Sequence, residues 1–142
     1  MNTKSTLAAR KRAEQKHKVA VRSSAAGLGL YTTVPRKKDE LLVEYTGERI
    51  SEDEANRRGG KYLFTVSKTL VIDGKGREHL GRYANHSCAP NCYAELDEKP
   101  GRVYLRAKRA LAEGEELTYH YGREYFNNYI KPHGCRCTKC AS

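Results

Sequence analysis

The 142-residue chain has no stretch of apolar residues long enough to cross a bilayer, and no apolar segment near Met1 of the kind a secretory leader carries. It therefore reads as a soluble intracellular protein, of cytoplasm or nucleus, without a membrane partner. An even complement of cysteines is also missing. Five are present, three of them crowded near the C-terminus, which argues against a disulfide framework and for a metal site. The length supports one core and is short for a second domain. Acidic residues are outnumbered: 17 Asp and Glu against 27 Lys and Arg leave a net charge of +10. Residues 1–22 hold seven basic residues and one acidic one, hence +6, which leaves +4 for the rest.

The segment Met1 to Lys18 is polar and basic, and LAARKRAEQKH has helical tendency without an apolar stripe to dock it. A disordered arm or a frayed helix is expected there. In its plain reading such a charge run is solvated. In its functional reading it attracts nucleic acid or an acidic face of a protein complex.

From Val19 onward the pattern is of short strands. Val19 to Val21 reads as a strand leading into AAGLGLY, where Gly27 and Gly29 permit a tight turn or close approach of the backbone to a ligand. Leu41 to Ile50 is β-rich, with Val43 and Tyr45 on one face and Glu44 on the other. Ser51 and Glu54 form a capping box that opens a short helix, closed by Arg57, Arg58, Gly59 and Gly60. Lys61 to Ser67 and Leu70 to Asp73 read as two strands around a tight turn, with Tyr62 and Phe64 alternating onto one face. Tyr93 to Leu96 and Val103 to Ala107 make a hairpin, and Glu113 to Tyr121 a turn and a strand that puts Tyr119 and Tyr121 on one side and His120 on the other. Many short strands with little helix predict a mostly β domain.

The densest chemistry lies in Gly81 to Cys92, GRYANHSCAPNC. Asn85, Ser87, Pro90 and Asn91 are turn formers, so an irregular loop is expected, a rigid mount for a site. Asn85 donates and accepts hydrogen bonds at once and His86 does either, which suits a polar ligand with an amino-acid-like end. Cys88 can supply a metal thiolate, and Cys135, Cys137 and Cys140 form a CxCxxC cluster that could complete the ligand set.

NHSCAPNC, then EELTYHYG, then CRCTKC, in that order, resemble the SET domain of protein lysine methyltransferases followed by its post-SET cysteine cluster. The likeness runs from about Val19 to Cys140. It implies small sheets around a knot-like crossing, with residues 1–18 as a basic arm, 19–130 as the SET domain and 131–142 as a zinc-binding post-SET segment. The implied activity is methyl transfer from S-adenosylmethionine to a lysine side chain, with a histone tail as the expected substrate.

The resemblance places Ala26, Gly27, Leu28, Tyr62, Asn85, His86 and Arg136 on the cofactor. It places Tyr45, Phe64 and Tyr119 on the channel for the target lysine. Tyr121 becomes the catalytic group that orients the amine and the methyl, and Cys88, Cys135, Cys137 and Cys140 the ligands of a structural zinc. Two positions depart from the family's usual pattern. Leu28 stands where a basic residue is common between the glycines, and His120 where many members have Asp.

Tyr119 matches a position occupied by Phe or Tyr in the family, a choice linked to methylation state. A tyrosine there leaves less room to turn a methylated amine, so mainly monomethylation is expected. A phenol with an ordinary pKa near 10 is a poor base near neutrality, so Tyr121 need not take the proton itself.

TKSTLAARKR has the residue usage of histone tails, which composition alone explains or which self-methylation at Lys4 or Lys11 would exploit. Two other classes compete with the enzyme. A catalytically inactive SET-like binding module recruited through its basic arm has no need of Tyr121, Asn85 and His86. A small zinc-bearing nucleic-acid binder leaves NHSCAPNC and the paired tyrosines unexplained.

Overall fold

The computed structural model describes residues 6–25, 27–60, 62–97, 99, 101–122 and 134. Their order is α1 (Leu7–His17), β1 (Val19–Ser24), β2 (Gly27–Thr32), β3 (Leu41–Glu44), β4 (Glu48–Ile50), α2 (Glu52–Arg58), β5 (Leu63–Ser67), β6 (Leu70–Asp73), a 3-10 turn (Leu80–Tyr83), β7 (Asn85–His86), β8 (Cys92–Asp97), β9 (Arg102–Ala107) and β10 (Glu116–Tyr119). The strands form three small sheets, ordered β1-β2-β10-β7, β3-β9-β8 and β4-β6-β5. This is the mostly β architecture expected. The expected zinc-binding segment, 131–142, lies almost wholly outside the described residues.

The alternation read in the sequence becomes the core. Leu30, Leu117, Val43 and Leu105 project inward from different sheets and are essentially inaccessible to water. Burying such side chains is the dominant favourable term in folding, about 1.5–3 kcal/mol each. The β8–β9 hairpin pairs from Cys92↔Ala107 to Asp97↔Arg102. Helix α2 is opened by Ser51, whose hydroxyl accepts the Glu54 N–H at 3.1 Å, and closed by Gly59 in the left-handed conformation. Only half of the expected capping box forms, because the Glu54 carboxylate turns to Arg57 and Arg58.

Residues 7–17 form neither a disordered arm nor a frayed helix: α1 is capped at both ends. Thr6 Oγ1 accepts the Ala9 N–H at 3.0 Å, and Lys18 ends the helix with φ of 57°. The missing apolar stripe is replaced by small and paired residues. Ala13 packs on the core, Glu14 accepts the Val21 N–H at 2.8 Å, and the Arg10 guanidinium lies 5.6 Å from the Tyr83 ring centre.

The helix end is held by Arg36, which the sequence does not single out. Its buried guanidinium donates to the carbonyls of His17 and Lys18 at 2.7 Å each, to Thr32 Oγ1 at 2.8 Å and to Glu40 at 3.2 Å. A cation at a helix C-terminus also meets the negative end of the backbone dipole.

Two glycines serve packing. A Cβ on Gly29 would sit 2.5 Å from the Glu116 carboxylate, and one on Gly47 2.2 Å from the Asp73 carbonyl oxygen. The close approach that Gly29 was expected to offer a ligand is thus used within the chain, while Gly27, at φ of 107°, makes the turn.

Candidate active site

Strand β10 is the axis of the site. It pairs antiparallel with β2 and parallel with β7, with Thr118 opposite Asn85 and Tyr119 opposite His86. Asn91 holds β10 through its side chain. Its Oδ1 accepts the Thr118 N–H at 3.0 Å and its Nδ2 donates to the Glu116 carbonyl at 2.7 Å, so one amide does the work of a neighbouring strand. Ser87 N–H adds a bond to the Tyr119 carbonyl at 3.2 Å. The loop Asn85–Cys92 and the strand carrying the two tyrosines are therefore one unit, each satisfying the other's backbone.

Tyr119 and Tyr121 of this unit continue a row of four aromatic rings that begins at Tyr45 and Phe64. Tyr45 and Phe64 are 5.2 Å apart between ring centres, Phe64 and Tyr119 6.3 Å, and Tyr119 and Tyr121 4.9 Å. Tyr45 and Tyr119 are buried, Phe64 and Tyr121 half-buried. Each end of the row is pinned. Tyr45 OH donates to the Tyr62 carbonyl at 2.9 Å, and Tyr121 OH to the Ala84 carbonyl at 2.6 Å. Gly81 lets the loop lie flat on Tyr45, since a Cβ there would come within 2.7 Å of that ring.

Tyr62 stands outside the row. It precedes β5 instead of sharing its alternation with Phe64, and its ring lies 3.9 Å beneath the Arg82 guanidinium.

His86 fixes the backbone of Tyr121, accepting its N–H at Nδ1 over 3.1 Å. An accepting Nδ1 requires the neutral ring with its proton on Nε2. Burial, with His120 adding to it, pushes this imidazole down to about 4, in agreement with that tautomer. Nε2 is then the donor to Cys88 Sγ at 3.5 Å.

His120 was expected to point away from this side. Its ring packs edge-on to His86 at 4.5 Å, because β10 ends at Tyr119 and strict alternation ends with it. No sequence signal marks that contact.

The turn before β2 and the β7 loop meet at Asn85. Its Nδ2 lies 2.9 Å from the Leu28 carbonyl, 2.9 Å from Glu116 Oε2 and 3.1 Å from Ser24 Oγ. Gly27, Leu28, Asn85 and His86, expected from separate parts of the chain, are thus neighbours, with Leu28 50% exposed at the tip. Ala26 and Arg136, the other expected cofactor residues, lie outside the described residues.

Among the expected metal ligands only Cys88 is described, half-buried and unbridged. Cys135, Cys137 and Cys140 lie outside. The described residues alone hold no cluster of three or more metal-binding side chains.

Tyr45 also lines a polar cavity of about 380 Å³ with Glu44, Thr46, Gly47, Arg49, Ile72 and Arg102. Within its lining Glu44 faces Arg102 at 3.8 Å.

Comparison with known proteins bears on the same residues. The model of the SET domain matches residues 27–122, from the turn before β2 to just past the second tyrosine of the row. Histone-lysine N-methyltransferase MEDEA of Arabidopsis thaliana is 44% identical over 115 residues, covering 73% of this chain and 17% of that protein. Histone-lysine N-methyltransferase 2D of Homo sapiens is 36% identical over 152 aligned positions, covering 99% of this chain and 3% of that protein. The mouse protein of the same name gives the same figures. The chain thus spans less than a fifth of the length of each of these relatives.

Proposed function

This chain belongs to the SET-domain family, and from that premise we propose that it is a protein-lysine N-methyltransferase that uses S-adenosylmethionine and acts on a histone tail, mainly to the monomethyl state. The observation that carries the reading is the pinned row Tyr45–Phe64–Tyr119–Tyr121, ending at the loop where Leu28 and Asn85 meet. The relatives' names supply the histone, and the basic composition of α1 suits it to contact with nucleic acid. These point to chromatin and the nucleus as the setting.

When bound, S-adenosylmethionine supplies a methyl group on a positively charged sulfur. Gly27, Leu28, Asn85 and His86 would hold it, with Tyr62, Ala26 and Arg136 around it. The chain's own residues do the rest. Tyr45, Phe64 and Tyr119 strip water from the lysine side chain, which favours its neutral, nucleophilic form. Tyr121 gives its proton to the Ala84 carbonyl, so towards the amine the phenol oxygen is an acceptor that orients an N–H. Holding the amine in line in this way removes much of the entropic part of the barrier.

Transfer of radiolabel from S-adenosylmethionine to core histones, recovered as methyl-lysine on hydrolysis, is the test. Label confined to the chain itself would redirect the substrate to Lys4 or Lys11. Cofactor bound without any transfer would favour an inactive binding module.

Methylation state follows from Tyr119. Replacing it by Phe removes a hydroxyl from the wall of the row and enlarges the space around the amine. Tyr119→Phe is expected to shift the product from monomethyl to di- and trimethyl-lysine at a total rate within about threefold of wild type, roughly the effect of one uncharged contact. Mass spectra of the histone product read this directly; an unchanged product distribution would contradict it.

The proposed zinc ligands are Cys88, Cys135, Cys137 and Cys140. Cys88 fits the role by position, half-buried in the loop beside His86 with its sulfur 3.5 Å from Nε2. Cys92 does not. Burial pushes its thiol up to about 12, and it donates to Asn91 Oδ1 at 3.3 Å. A chelator should make four thiols reactive to maleimide at neutral pH while Cys92 reacts only after unfolding. Labelling of Cys92 in the folded chain, or of Cys88 before chelation, would overturn this assignment.

A further inference from the structure

Helix α1 sorts its charges by face. At about 100° per residue, Ala9, Arg10, Ala13, Glu14 and His17 fall on the half-buried side, and Ala8, Lys11, Arg12, Gln15 and Lys16 on the exposed side. The helix's one acidic residue, Glu14, is turned inward, where it pairs with Arg10 at 3.4 Å and accepts the Val21 N–H. Its outward face is therefore cationic and carries no acidic residue.

The patch extends past the helix. Lys18 follows, exposed, and Arg36, by gripping the His17 and Lys18 carbonyls, brings the exposed Lys37 and Lys38 to the same end of the helix. The neighbouring acids are engaged. Glu40 binds Arg36 and the Lys37 N–H, and Asp39 accepts from Tyr93.

From this we infer that the outer face of α1, with Lys18, Lys37 and Lys38, is a docking surface for the phosphate backbone of duplex DNA. The warrant is charge complementarity. Six exposed cations, three on a helix fixed by Arg36 and three beside its C-terminal end, match a regularly charged polyanion, and they carry no aromatic ring for stacking unpaired bases. A fixed helix also binds without the ordering cost that a flexible arm would bear. The inference deepens the reading of a histone substrate, and only its nucleosome arm rests on that reading: the surface would hold the enzyme on nucleosomal DNA while the aromatic row receives a tail.

The test uses the full chain and a fluorescent mixed-sequence duplex, with Lys11→Gln/Arg12→Gln/Lys16→Gln as the variant, since glutamine keeps the helix. Wild type should bind with log affinity falling against log salt at a slope of about −4 to −5, and the variant should lose about 3 units of that slope. Methylation of nucleosomes should fall at least about tenfold in the variant while methylation of a free histone peptide is unchanged, because α1 lies outside the aromatic row.

Equal duplex binding by variant and wild type would overturn the inference. So would a salt slope near zero, or a strong preference for single-stranded RNA. Duplex binding that depends on these residues in a chain with no transferase activity would uphold the surface and count against the methyltransferase reading alone.

Discussion

Tyr121→Phe should lower kcat for lysine methylation by about 10²–10³-fold, the range seen when one positioned polar group is removed from a reacting centre, with little change in affinity for S-adenosylmethionine. The Tyr121 phenol is set by two bonds from one segment, its hydroxyl to the Ala84 carbonyl at 2.6 Å and its backbone N–H to His86 Nδ1 at 3.1 Å. Phenylalanine keeps the second and the ring's place against Tyr119, and loses the first together with the oxygen proposed to orient the amine. The stability cost is that of one hydrogen bond, about 1 kcal/mol. The variant should therefore remain folded and bind cofactor. A matching loss in cofactor affinity, or a kcat within about threefold of wild type, would assign the tyrosine a structural role.

Arg36→Met should destabilise the fold by about 2–4 kcal/mol, the cost of losing the charge-assisted hydrogen bonds of a buried guanidinium and leaving the His17 carbonyl unmet, and lower Tm by roughly 10 °C for a chain of this size. Methionine keeps the apolar stem. It leaves the His17 carbonyl without the guanidinium that satisfies it and removes the link from α1 to the β2–β3 connection. Arg36→Lys should recover less than half of the loss, because an ammonium cannot fork to Thr32, Glu40 and two carbonyls at once. Trypsin reads the local consequence. Cleavage within residues 10–18 should accelerate about tenfold or more in Arg36→Met, as the helix opens independently of the core. Unaltered cleavage would mean that Ala13, Glu14 and the Arg10–Tyr83 contact hold α1 by themselves.

Elements whose stability is local were legible in the sequence. The Ser51 cap, the Gly59 stop and the β8–β9 hairpin follow from residues close along the chain, and each sits where the pattern put it. Tyr119 and Tyr121 were legible as neighbours because a strand's period is two. His120 was not, since the strand stops at Tyr119 and the next side chain no longer obeys that period.

Asn91 read as a turn former because its residue type favours turns. That its amide replaces a strand beside β10 depends on contacts 25 and 27 residues away. The helix α1 was misread for a related reason. An apolar stripe is one way to dock a helix, and here alanines and a distant buried arginine do it instead. Gly29 carried the right signal, close approach, with the wrong neighbour, for Glu116 is what lies against it.

The site divides along the same line. The residues of NHSCAPNC and TYHY declare their chemistry, but the order Tyr45–Phe64–Tyr119 joins three parts of the fold that no spacing connects. Arg82, which stacks on Tyr62 at 3.9 Å and on Tyr83 at 5.0 Å, lies beside that row and has no mark of its own in the sequence.

The central claim is that the aromatic row receives a lysine and passes its amine to a methyl donor. The most direct measurement is the mass spectrum of core histones incubated with the full chain and S-adenosylmethionine, with Tyr121→Phe in parallel. The account predicts a gain of one methyl mass on a lysine-bearing histone peptide with wild type and none on the same timescale with the variant. An unchanged histone spectrum from a chain that binds the cofactor, or equal methylation by both proteins, would contradict it.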